Sequence, residues 1–155
     1  MALVYLGLGT NLGNKQLNLN QAIEALKGVG EVKCQSSFLS SKPWGFESEN
    51  EFVNAVIVIE TKLQPMELLT KAQEIETILG RKAKSEKNYS DRIIDIDILF
   101  YDELILDAPE LKIPHPLIAE RDFVVLPLVE IAPDLYHPLL KRTMVELRNE
   151  LTNKE

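Results

Sequence analysis

Apolar residues recur along this chain with two different periods. Leu19, Ala22, Ile23 and Leu26 follow i, i+3, i+4, i+7 spacing, so residues 15–28 predict an amphipathic helix that Gly28 and Gly30 stop. Leu68, Ala72, Ile75 and Leu79 make a second helical stripe. It opens at Pro65, whose fixed φ suits a first helical position, and ends at Gly80. Residues 2–9 and 52–62 read as strands, and 31–41 are polar but β-capable around Val32, Cys34 and Phe38. A further strand runs from Arg92 to Phe100, and Tyr101-Asp102-Glu103-Leu104 predicts a tight turn into a short partner strand. Beyond Pro114 come proline-punctuated segments with helical patterns near 122–132 and 142–152. The order βαββαβ plus C-terminal additions predicts an α+β sandwich, with helices on one face of a mainly antiparallel sheet. No repeat or interdomain linker interrupts it, so 1–155 reads as a single domain.

The strand at 92–100 departs from a plain apolar alternation. Side chains on a strand alternate between faces, so Asp95 and Asp97 point one way while Ile94, Ile96, Ile98 and Phe100 are expected to point the other. Two carboxylates on one face are costly to bury without compensating charge. A divalent cation supplies it, and carboxylate oxygens suit Mg2+. Arg92 adds a planar phosphate-binding fork three residues earlier. Taken alone, the pair also fits two solvated aspartates on the wet face of an edge strand.

Composition narrows the partners. Of the 155 residues, 45% are hydrophobic and 26% charged, as in ordinary soluble domains, and the formal net charge is -7. An acidic chain is a poor general binder of nucleic acid or anionic membranes, although it can hold a nucleotide where its cations converge. No run approaches the roughly 20 apolar residues of a membrane helix. The first residues read as a strand and not as a signal peptide. One cysteine, Cys34, rules out an intrachain disulfide; a buried thiol and a cytoplasmic location are the expectations. Gly7-x-Gly9-x-x-x-Gly13 fits neither the dinucleotide fingerprint nor the P-loop, and reads as a flexible active-site loop or as simple turn glycines. Residues 81–91, with Arg81, Lys82, Lys84 and Lys87, read as a long loop of the kind that is often functional.

Arg92-x-x-Asp95-x-Asp97-Ile98-Leu99, Pro114-His115-Pro116, Arg121-x-Phe123 and Phe52-Val-Asn54-Ala55 occur in that set and spacing. With Tyr5-Leu-Gly-Leu-Gly-Thr-Asn-Leu-Gly13 and Leu126-Pro-Leu-Val-Glu-Ile-Ala-Pro133 they carry a resemblance over nearly the whole chain. The chain resembles the 6-hydroxymethyl-7,8-dihydropterin pyrophosphokinases of folate synthesis. The resemblance implies a ferredoxin-like α/β/α sandwich, and transfer of pyrophosphate from ATP to the pterin hydroxymethyl group, leaving AMP. It implies two Mg2+ ions held by Asp95 and Asp97, and three catalytic loops at about 9–15, 42–51 and 81–92.

The resemblance also assigns roles. Arg92, Asp95, Asp97, His115 and Arg121 form the catalytic set. Ser41, Lys42, Trp44, Phe52, Asn54, Asp95 and Phe123 would hold the pterin, with the two phenylalanines stacking on it. Gln73, Glu76, Arg81, Lys84, Arg92, Ile98, Leu111, His115 and Arg121 would contact ATP. Each has a plainer reading: core packing for the phenylalanines, a polar helix surface for Gln73 and Glu76, solvated loop cations for Arg81 and Lys84, a turn histidine with a backbone hydrogen bond for His115. His137 matches no site and reads as structural or exposed. Tyr89-Ser90-Asp91 stands where the family carries Trp-Gly-Pro, which keeps open a catalytically impaired pterin- or nucleotide-binding homologue. Neither a protein partner nor a fused folate enzyme is expected.

Overall fold

In the computed structural model residues 1–42, 50–80 and 93–153 are described. The first unit is β1 (Ala2–Thr10), α1 (Lys15–Leu26), β2 (Glu31–Gln35), β3 (Leu39–Ser41), β4 (Phe52–Thr61), α2 (Pro65–Ile78) and β5 (Asp95–Tyr101). The sheet runs in the order β2-β4-β1-β5, with β3 also paired to β4, and every pairing is antiparallel. The expected single strand at 31–41 is thus two pieces, broken where Ser36 exchanges hydrogen bonds with Val56: Ser36 N–H donates to Val56 O at 2.8 Å and Ser36 Oγ accepts from Val56 N–H at 2.9 Å. This is the βαββαβ arrangement expected from the periodicity.

Both helices form where their apolar stripes begin. Asn14 accepts from Leu17 N–H at 3.1 Å and caps α1. Pro65 opens α2, and Glu67 reaches back to accept from Gln64 N–H at 3.0 Å. Leu19, Ala22, Ile23, Leu26, Leu68, Ala72 and Ile75 bury against Val4, Leu6, Leu8, Ile57, Ile59, Ile94, Ile96 and Ile98. Burial of each such Leu or Ile is worth about 1.5–3 kcal/mol.

The second face is covered by the C-terminal third. A 3-10 turn (Ile118–Glu120) leads into α3 (Asp122–Ile131), and α4 (Met144–Asn153) closes the chain. Val124, Val125, Leu128, Met144 and Leu147 bury against Val56, Leu99 and Phe100. Two small hairpins lie outside the main sheet: β6 (Leu106–Asp107) with β7 (Lys112–Ile113), and β8 (Tyr136–His137) with β9 (Arg142–Thr143). The short strand after Tyr101 therefore pairs with β7 and not with β5. No helix among the described residues is long and apolar enough to cross a membrane.

The structure corrects three sequence expectations here. Phe100 does not share a face with Ile94, Ile96 and Ile98. The register runs Tyr5↔Phe100 and then Leu6↔Ile98, leaving Leu99 as an extra residue. That bulge turns Phe100 into the second layer, between the rings of Tyr5 and His137. Gly7 and Gly9 do not form a loop: β1 continues through Thr10, and only Gly13, at φ 68°, occupies a turn that favours glycine. Cys34 is exposed and not buried, because it lies on β2 at the edge of the sheet.

Candidate active site

The second face of the sheet carries the candidate site. Two rows of residues cross three neighbouring strands there: Asn54 on β4, Gly9 on β1 and Asp95 on β5, then Val56, Gly7 and Asp97. Gly7 and Gly9 are central to the geometry. A side chain begun at Gly9 would meet Asn54 Oδ1 at 3.1 Å and the Phe52 ring at 3.6 Å, and one begun at Gly7 would meet Leu99 at 3.4 Å. The glycines make a flat floor with Asn54 and Phe52 on one side and the two aspartates on the other. Sequence reasoning missed this. The available signal was two glycines two apart inside a strand pattern, which places both on one face.

Asp95 and Asp97 share this face, as expected, and both are half-exposed. Arg121 brings its charge to them from the junction between the 3-10 turn and α3. Its carbonyl accepts from Val124 and Val125 N–H, both at 3.0 Å, which fixes its backbone. The residue is only 8% exposed, and Nη1 lies 3.9 Å from Asp97 Oδ2. The guanidinium carbon sits 5.7 Å from the centre of the Phe123 ring, a cation–π distance that holds the charge in place.

His115 is fixed by its backbone and its ring together. Its N–H donates to Leu99 O at 3.0 Å, and its Nδ1 accepts from Leu117 N–H at 3.1 Å. Burial, and secondarily the Arg121 cation, lower its pKa to about 4, against an opposing pull from Asp95. At neutral pH the ring is uncharged, and with Nδ1 accepting, its proton is on Nε2. His137 uses the same turn, its Nδ1 accepting from Leu139 and Leu140 N–H at 3.2 and 3.0 Å, but it packs in the core under Phe100. Its expected structural role is what the packing shows.

On the opposite side of the floor, Asn54 Nδ2 donates to Ser41 Oγ at 2.7 Å and to Leu39 O at 3.3 Å, so its Oδ1 is turned toward Gly9. Ser41 is half-buried and Lys42 exposed. Asn11, itself buried, donates to Asn50 O at 3.3 Å and joins the end of β1 to the entry of β4. Asn18 on α1 donates to Thr10 Oγ1 at 3.2 Å and Leu12 O at 2.8 Å, steadying the same segment.

Structure therefore brings together Asp95, Asp97, His115, Arg121, Phe123, Asn54 and Phe52. Gln73 and Glu76 part company: Gln73 lines a shallow groove with Thr70, Glu74, Thr77 and Ile78, whereas Glu76 is buried against β5. Ile98 and Leu111 are buried in the helix-side core. Trp44, Arg81, Lys82, Lys84, Tyr89, Asp91 and Arg92 lie outside the described residues. No group of three His, Cys, Asp or Glu side chains among the described residues could by itself hold a metal ion.

The sequence pattern of the 7,8-dihydro-6-hydroxymethylpterin-pyrophosphokinases (HPPK) matches residues 5–133. The chain belongs to the HPPK family. Relatives named 2-amino-4-hydroxy-6-hydroxymethyldihydropteridine pyrophosphokinase agree along most of both chains. That of Aquifex aeolicus is 42% identical over 154 residues, covering 99% of this chain and 95% of its own. That of Porphyromonas gingivalis is 46% identical over 141 residues, covering 89% and 95%. A crystal structure of Plasmodium falciparum HPPK-DHPS shares the fold, with a TM-score of 0.80 at 18% identity, over 99% of this chain and 43% of that one. This HPPK is a pyrophosphokinase of folate biosynthesis.

Proposed function

We propose that the glycine-floored face binds the reduced pterin beside the polyphosphate of ATP, and that Asp95 and Asp97 carry Mg2+ at the junction. The observation that supports this most is the pairing of two half-exposed carboxylates on one face with the buried Arg121 cation 3.9 Å away. The donor set fits magnesium. Mg2+ dehydrates reluctantly and is usually held by one or two carboxylates plus substrate phosphates and water, so a pair of aspartates, with no cluster of three such ligands among the described residues, matches its habit. When bound, two such ions would neutralise phosphate charge and make the hydroxymethyl oxygen easier to deprotonate.

The remaining chemistry falls to the chain. Phe52 and Phe123 would stack on the pterin, Asn54 Oδ1 would accept from its ring edge, and Ser41, Lys42 and Trp44 would complete that edge. Arg121 and the neutral Nε2–H of His115 would hold phosphoryl oxygens, joined by Arg92, Arg81 and Lys84. Gln73, Ile98 and Leu111 would border the nucleotide, while Glu76, buried against β5 and bonded to Ile96 N–H, would not reach it. In the reaction the hydroxymethyl oxygen forms a bond to the β-phosphorus, the bond from that phosphorus to the α-phosphate oxygen breaks, and AMP departs. Asp95 or Asp97 takes the hydroxyl proton. Such transfers need little beyond positioning and electrostatic stabilisation. A cytoplasmic location belongs to the same proposal, supported by the single cysteine.

Incubation with ATP and 6-hydroxymethyl-7,8-dihydropterin, with Mg2+ or with excess chelator, tests this reading. AMP and the pterin diphosphate should form with Mg2+ and cease with chelator. Undiminished turnover in chelator would overturn the metal assignment, and a D97A enzyme as active as wild type would overturn the site.

A further inference from the structure

Glu76 is an ionisable side chain taken almost wholly out of water, at 4% exposure, on the face of α2 that packs on the sheet. A buried carboxylate is costly unless its oxygens are engaged. Its Oε2 accepts from the backbone N–H of Ile96 at 2.8 Å. Ile96 is the residue between Asp95 and Asp97. Among the described residues β5 pairs with β1 alone, at the end of the sheet. On such a strand the amides of alternate residues face away from the ladder, and a buried one needs a partner from elsewhere. The Glu76 carboxylate is that partner for the Ile96 amide.

We propose that Glu76 is a positioning residue for Asp95 and Asp97: its bond to Ile96 N–H pins the middle of the strand to α2 and so fixes the two carboxylates over the glycine floor. This rests on the assignment of Asp95 and Asp97 as metal ligands. The two aspartates share their peptide planes with Ile96. A strand able to rotate or lift at Ile96 would splay both carboxylates together, and metal affinity falls steeply when ligand orientation is lost. Charge assistance suits the role, since a hydrogen bond to an ionised acceptor is about twice as strong as a neutral one.

The test compares wild type, E76Q and E76M. Gln keeps an acceptor for Ile96 N–H. Met keeps the volume and the packing but has no comparable acceptor. Amide exchange at Ile96, read by NMR on the ligand-free protein, should speed up about 10- to 100-fold in E76M, with Leu6 and Val58 unchanged, and E76Q should restore protection to within about threefold of wild type. The Mg2+ concentration that half-saturates AMP formation should rise about tenfold in E76M, with pterin KM moved less than twofold. Unchanged Ile96 exchange in E76M overturns the proposal. So does an E76Q enzyme as impaired as E76M, or a rise confined to ATP KM, because both would make Glu76 a charge acting on the nucleotide. Should E76M fail to fold, a through-bond correlation between Ile96 N and Glu76 Cδ in the wild-type protein decides, and its absence overturns the proposal. Wild-type turnover indifferent to chelator would refute the metal reading instead, while the exchange measurement still judges the Glu76 bond.

Discussion

Acidification should destabilise the ligand-free protein through His115. The fold holds its imidazole neutral, with a pKa lowered to about 4 by burial first and by the Arg121 cation second. In the unfolded chain the same ring takes up its proton near 6.5. Above 6.5 neither state is protonated and the residue contributes no pH dependence. As pH falls from 6.5 to about 4 the unfolded state gains a proton that the native state lacks, so stability is lost across that window, by about 3 kcal/mol at its lower end. His137 is shifted in the same direction by burial, so the whole-protein loss is larger and a reference variant is needed. His115→Asn serves, since its amide oxygen can accept from Leu117 N–H and does not titrate. Urea melts of both proteins at pH 7.5, 6.5, 5.5 and 4.5 should show wild type losing about 2.5 kcal/mol relative to H115N by the lowest pH. NMR titration should give a His115 midpoint near 4 in the Nε2–H tautomer, and with two histidines in the chain the assignment is direct. A midpoint of 6 or above, or a wild-type to H115N difference that does not change with pH, would refute the argument. A bound ATP analogue should raise the midpoint, because phosphate charge favours the imidazolium.

Three further perturbations address the floor, the carboxylates and the bulge. Gly9→Ala places a methyl 3.1 Å from Asn54 Oδ1 and should raise the Kd for pterin about 5- to 100-fold, read by calorimetry, with ATP-analogue affinity unchanged; equal loss of both ligands would mean the sheet itself had shifted. Asp95→Asn should lower single-turnover AMP formation about 10²- to 10³-fold without lowering the melting temperature, since it removes one of two like charges. Loss of stability in step with activity would assign Asp95 a structural role. Phe100→Ala should cost about 3–5 kcal/mol in urea melts, because the ring is buried between Tyr5 and His137, and a cost below 1 kcal/mol would contradict its anchoring role.

Much of this architecture was legible because its elements obey simple periods. Leu19, Ala22, Ile23 and Leu26 bury as their spacing demands, and Pro65 begins its helix where a missing N–H is harmless. Asp95 and Asp97 share a face because a strand alternates. Phe100 was misplaced by that same rule, which has no means of seeing one unmatched residue; Leu99 carries no local mark of a bulge. The contact of Arg121 with Asp97 and of Glu76 with Ile96 join residues 24 and 20 positions apart, and no periodicity within one segment can report either. Cys34 misled for a related reason: strand character was readable, but its place at the sheet edge depends on strand order.

The extra residue at Leu99 acts as a spatial reading frame. Downstream of it the strand is moored by Phe100 in one apolar layer; upstream, Ile94, Ile96 and Ile98 are moored in the other. Straightening the bulge with Leu99 still in place would bring the two moorings out of phase. If Phe100 kept its seat, the upstream strand would slip by one, turning Asp95 and Asp97 into the helix-side core and the isoleucines onto the site face. Deleting Leu99 would instead leave Ile98 and Phe100 as neighbours on opposite faces and keep both carboxylates where they are, so the side the aspartates take depends on one residue that the ladder does not count.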